Sequence, residues 1–96
     1  MDPEQSKVID QVDEQAIVDL ASDLIKIPSF KLEETPVATF LADFFVDRQY
    51  EVDLQEVEPG RFQTIATLKG TGGGPSLMLN GHTDINSLTR RWRRDP

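Results

Sequence analysis

The side chains best suited to chemistry lie in Ser76-Leu77-Met78-Leu79-Asn80-Gly81-His82-Thr83-Asp84, which holds the protein's one histidine. Side chains alternate along an extended chain, so His82 and Asp84 fall on the same side if strand geometry persists. Imidazole is a common metal ligand, and a carboxylate on its other ring nitrogen fixes the tautomer that ligation needs. The plainer alternative is that an isolated histidine after a strand is structural. Two neighbouring features favour ligation. Gly81 relaxes the backbone just before the histidine, and strand ends in α/β sheets are where ligand sites gather. The chain has no cysteine, so any metal here takes nitrogen and oxygen ligands. His82 and Asp84 do not close a catalytic zinc site, which needs at least three protein ligands and an open position.

The elements that must position this pair follow from hydrophobic period and turn chemistry. The short apolar run Leu77-Met78-Leu79, bounded by glycines, predicts a strand over Ser76–Asn80 buried on both faces. Residues 1–12 read as a polar, frayed leader. From Asp13 to Lys26, Ile17, Leu20, Ala21, Leu24 and Ile25 recur at helical spacing. Pro28 stops that helix, because it disfavours helical geometry at Ile27. Thr35 and Pro36 predict an N-cap and first helical residue. The helix they open runs to about Gln49 and offers Val37, Phe40, Leu41, Phe44 and Phe45 as a core-facing stripe. Tyr50–Val57 alternates as a strand with one wet face, Glu58-Pro59-Gly60 is a turn, and Phe62–Leu68 is a second strand. Lys69–Pro75 is rich in glycine but leads into a strand without Gly-Lys-Ser/Thr opening a helix. It therefore predicts a connection and not a phosphate cradle. The expected order is helix, helix, strand, strand, strand, an α/β pattern over residues 13–96.

Composition narrows the function classes. With 96 residues, 38% hydrophobic and 28% charged, the chain suits one small globular domain. The net charge of −7 divides unevenly: residues 1–60 carry −11 and residues 61–96 carry +4. An acidic chain is a poor nucleic-acid partner. Arg90-Arg91-Trp92-Arg93-Arg94 could stack on and neutralise a nucleic acid, but it reads better as a solvated loop beside the site with Trp92 packed beneath. No apolar stretch is long enough to span a membrane, and the acidic N-terminus lacks the pattern of a secretory signal. A cytoplasmic protein with no membrane or nucleic-acid partner is expected.

Leu77-Met78-Leu79-Asn80-Gly81-His82-Thr83-Asp84, followed by Trp92 and Asp95-Pro96, resembles the first metal motif of the zinc-dependent deacylase and exopeptidase family. That family includes acetylornithine deacetylase, succinyl-diaminopimelate desuccinylase, aminoacylase and glutamate carboxypeptidase. The resemblance extends upstream through Leu24-Ile25-Lys26-Ile27-Pro28-Ser29 and Gly70–Pro75, covering roughly residues 13–96. Ile85-Asn86-Ser87-Leu88 and Gln63-Thr64 depart from common family patterns and leave the subfamily open.

The resemblance implies the N-terminal part of a three-layer α/β/α domain with a mixed sheet, and two zinc ions bridged by water, with cobalt able to substitute. It maps a metal ligand onto His82 and its supporting active-site carboxylate onto Asp84. The family's bridging aspartate, general-base glutamate, further carboxylate ligand and final histidine would fall beyond Pro96. Asp19, Asp23 and Glu34 read as solvated helix-face carboxylates, poor substitutes for them. The expected parent is a hydrolase of amide bonds in N-acyl amino acids or small peptides, with homodimerisation left open. The 96 residues, ending at Asp95-Pro96, are expected to be an inactive piece of it. The competing expectation is a non-catalytic binding or scaffold relative of the same fold.

Overall fold

The computed structural model describes residues 2–85. They form α1 (Pro3–Asp10), α2 (Glu14–Lys26), α3 (Thr35–Asp47), β1 (Glu51–Glu58) and β2 (Arg61–Thr67). Helices and strands both occur, as α/β patterning predicts, but the order is α-α-α-β-β.

The leader is helical and not frayed. Asp2 accepts a hydrogen bond from the Gln5 amide at 2.8 Å, and the Gln5 side chain accepts one from the Asp2 amide at 3.1 Å. This reciprocal cap satisfies two otherwise orphaned donors, with Pro3 pre-shaped for the first turn. No residue of α1 is buried, so capping is what the sequence supplies here. In α2, Asp13 caps Gln15 and Ala16, and Ile27 turns extended before Pro28. Its apolar stripe is only partly covered, with Ile17 and Ile25 exposed and Leu20 and Leu24 half-buried.

Helix α3 carries the core. Val37, Ala38 and Ala42 are buried, α3 packs on both hairpin strands, and the Thr64 hydroxyl donates to the Ala38 carbonyl. Small side chains at 38 and 42 allow close approach of helix and strand. Phe40, Phe44 and Phe45, expected in the core-facing stripe with Val37, are half-buried, Phe40 and Phe44 lining a cleft with Ala16 and Leu20 of α2. Phe44 and Phe45 meet edge to face at 5.3 Å, Phe45 lies 5.0 Å from Tyr50, and the Arg48 guanidinium covers Phe44 at 3.5 Å.

Both ends of α3 differ from expectation. Thr35 is not the N-cap; Glu34 is, without a side-chain cap bond. The Thr35 hydroxyl instead donates to the Gly60 carbonyl at 2.7 Å, a tertiary bond that outcompetes the local one. The C-terminus closes at Asp47 because Gln49 adopts φ 66°. The amides of Gln49 and Tyr50 then reach back to the carbonyls of Val46 and Phe45. This is the Schellman pattern, with glutamine where glycine is usual.

Strands β1 and β2 form an antiparallel hairpin with a register shift between Glu56 and Glu58. Gly60, at φ 77°, makes the turn. Gln55 and Gln63 are paired across the ladder, their side-chain amides hydrogen-bonded.

The strand expected over Ser76–Asn80 does not form. Among the described residues the sheet has two strands, and Leu77, Met78 and Leu79 are 85–87% exposed. A strand buried on both faces needs a neighbour and two covering layers, and local sequence supplies neither. The radius of gyration is 16.5 Å, against about 12.5 Å for a compact chain of this length. The 8796 Å² of accessible surface likewise exceeds the roughly 5,500 Å² of a compact protein of this mass.

Candidate functional site

His82 and Asp84 meet although the strand expected to align them does not form. The His82 Nδ1 lies 3.2 Å from a carboxylate oxygen of Asp84 and 3.1 Å from the Asp84 carbonyl oxygen. Both partners are acceptors, so Nδ1 carries the proton and donates. In the neutral ring that leaves the lone pair on Nε2, the atom turned away from Asp84. The His82 side chain is 85% exposed and that of Asp84 43%. This tautomer and this access suit a ligating imidazole.

The backbone just past the pair is anchored. The Ile85 amide donates to the Ser29 carbonyl at 2.9 Å, and Phe30 and Ile85 form a parallel bridge. Ser29 is 5% exposed. The segment after Pro28 therefore lies directly beside the chain leaving the His-x-Asp motif, 56 residues later in sequence.

The other carboxylates named above divide. Asp19 and Asp23 are exposed on α2, as expected. Glu34 is not solvated. It is 9% exposed, and Arg61 grips it through one nitrogen at 2.9 Å and a second at 3.4 Å. Arg61 also donates to Glu58 at 2.9 Å. Hydrogen bonding from Arg61 chiefly, aided by the backbone amides of Glu34 and Leu32, holds the Glu34 carboxyl below the ordinary carboxylate range against the opposing effect of burial. Glu34 and Glu58 in turn hold the Arg61 guanidinium above its ordinary value. The pairing spans 27 residues, and no local pattern in the sequence distinguishes these two from solvated charges.

One exposed imidazole with a carboxylate on its Nδ1 is what the site offers. Among the described residues no group of three or more His, Cys, Asp or Glu side chains is placed to hold a metal ion. The cluster Arg90–Arg94, Trp92 and Asp95-Pro96 lie outside the described residues. Among the described residues no helix is long and apolar enough to cross a membrane.

The chain is similar to acetylornithine deacetylases and probable carboxypeptidases. The chain is 39% identical over 70 residues to acetylornithine deacetylase of Vibrio vulnificus, covering 72% of this chain and 18% of that protein. It is 33% identical over 75 residues to a probable carboxypeptidase of Emericella nidulans, covering 76% and 18%. It is 30% identical over 87 residues to a probable carboxypeptidase of Aspergillus niger, covering 82% and 21%. The chain thus spans about a fifth of the length of these curated relatives. No family model matches it, and no solved structure matches it with significance.

Proposed function

From the premise that this chain belongs to the deacylase and exopeptidase family of acetylornithine deacetylase, we propose that it supplies the first metal ligand of a zinc-dependent amide hydrolase. The observation that carries this reading is the His82–Asp84 contact at 3.2 Å. In this role Asp84 holds the proton on Nδ1 and fixes the ring plane, and His82 presents Nε2 to the ion. Zinc, when bound, polarises an amide carbonyl and lowers the pKa of a bound water. The proton transfers need a carboxylate base within reach of that water. Asp84 is committed to His82, and Glu34 is committed to Arg61.

Residues 2–85 fit one ligand and not a full centre, so the working site is assigned to a longer protein in which further carboxylates and a histidine complete two zinc positions. There residues 76–80 join a mixed sheet between helix layers, which covers the apolar run Leu77–Leu79. The substrates are N-acyl amino acids or small peptides, and the 96-residue chain alone is inactive. Cytoplasmic residence and dimerisation of the longer protein belong to the same proposal.

The test is turnover of N-acetyl amino acids by zinc-loaded protein. The longer protein should hydrolyse them and lose activity with His82→Ala, while the 96-residue chain should show none. Turnover by the 96-residue chain, abolished by His82→Ala, would overturn the claim that it is inactive alone. The alternative reading is a non-catalytic relative of the same fold. A longer protein lacking an aspartate in a glycine-rich segment and a following Glu-Glu pair would favour that alternative.

A further inference from the structure

We propose that the turn Ser29–Glu34 is the seat of the His82–Asp84 pair, and that Glu34 and Arg61 are positioning residues for it. The importance of the pair rests on the metal-ligand reading above; the mechanical link does not.

The need for a seat follows from the backbone. Strand β2 ends at Thr67. Among the described residues, the backbone of residues 69–85 meets another element at the Ile85–Ser29 bond and the parallel Phe30–Ile85 bridge that it belongs to. Among the described residues, this 17-residue stretch carrying the candidate ligand has its backbone anchored at Ile85, one residue beyond Asp84. Its geometry is only as definite as the Ser29 side of that bond.

The Ser29 side is held from three directions. Within the turn, the Glu33 amide donates to the Phe30 carbonyl at 2.8 Å. Leu32 sits at φ 77°, a left-handed conformation unfavourable for a leucine. Its amide donates to the Glu34 carboxylate at 3.1 Å, which compensates that conformation locally. The same carboxylate is gripped by the Arg61 fork from the start of β2, and the neighbouring Thr35 hydroxyl bonds the Gly60 carbonyl. Glu34 thus faces inward to shape the turn and outward to bolt it to the hairpin. A planar guanidinium suits this task because it engages both carboxylate oxygens in one orientation. The path runs from Arg61 through Glu34 to the Leu32 amide, along the turn backbone to the Ser29 carbonyl, and from there to Ile85 and the pair.

Amide hydrogen exchange and ¹⁵N spectra of the His82 ring test this on the 96-residue chain. The variants are Glu34→Gln, Arg61→Met, Arg61→Lys, and Glu58→Gln as a control on the other Arg61 partner. Glu34→Gln and Arg61→Met should speed Ile85 exchange about fivefold or more while β1–β2 ladder amides hold their rates. In both, the His82 ring signals should shift toward mixed tautomers. Arg61→Lys should restore part of the protection, and Glu58→Gln should leave Ile85 unchanged.

Unaltered Ile85 exchange alongside faster Leu32 exchange overturns the proposal, because the turn would have loosened without moving the pair. Uniform acceleration across the ladder also overturns it, since that marks general destabilisation. A parallel zinc titration of the unmodified chain, read by competition with a chromophoric chelator, separates the two ideas. Absence of zinc binding overturns the metal reading alone, because the exchange comparison needs no metal.

Discussion

Asp84 acts on His82 by fixing which nitrogen carries the proton, and Glu34 acts at a distance by fixing backbone. The two carboxylates should respond differently to loss of charge. Asp84→Asn keeps the size but can present its amide N–H₂ to Nδ1, favouring the wrong tautomer. On the proposed metal reading, zinc affinity of the longer protein, measured by chelator competition, should fall about 10–100-fold, and His82→Ala should remove binding at that position. For Glu34 the sign follows from its lowered folded-state pKa. Its contribution to stability is complete above the ordinary carboxylate value and is lost as pH falls through the lowered folded value. Urea midpoints should therefore drop more steeply on acidification below about pH 5 for the unmodified chain than for Glu34→Gln.

Two positive-φ positions at element ends call for opposite substitutions. Gln49 closes α3 at φ 66° and Gly60 turns the hairpin at φ 77°. Removing the side chain at Gln49 relieves about 1–2 kcal/mol of left-handed strain and increases unfolded-chain freedom by about 0.4–1 kcal/mol. Strain relief wins, so Gln49→Gly should stabilise by about 0.5–1 kcal/mol in urea unfolding. At Gly60 an added Cβ meets nothing within 4 Å, so backbone strain alone sets the cost. Gly60→Ala should destabilise by a similar amount, with the same assay reading the opposite sign. In the seam beneath α3, Ala38 is 3% exposed. Ala38→Leu should cost about 1–3 kcal/mol by forcing helix and hairpin apart.

Across the molecule, apolar side chains outnumber the places to bury them. Among the described residues, Val37, Ala38 and Ala42 are the buried hydrophobic ones, whereas Val8, Ile9, Ile17, Ile25 and the run Leu77–Leu79 face solvent. Exposed apolar segments of this kind promote association. Sedimentation equilibrium should show the 96-residue chain self-associating with concentration. Leu77→Ser combined with Leu79→Ser should lower that tendency, and a well-dispersed monomer at all concentrations would contradict it.

What the sequence determined by itself was local. Asp13 and Pro28 bracket α2, Pro59-Gly60 separates β1 from β2, and the His-x-Asp spacing brings His82 to Asp84, because caps, turns and alternation act within a few residues. The capping box at Asp2 and Gln5 was legible in the same terms, although the polar composition of residues 1–12 points toward a frayed leader. Tertiary structure decided the rest. Thr35 leaves its cap for Gly60, Glu34 leaves solvent for Arg61, and Ser29 meets Ile85, because partners 25 to 56 residues apart leave no mark on local pattern. The run Leu77–Leu79 reads as a buried strand, but a strand of that kind exists only where neighbouring strands and covering layers complete it.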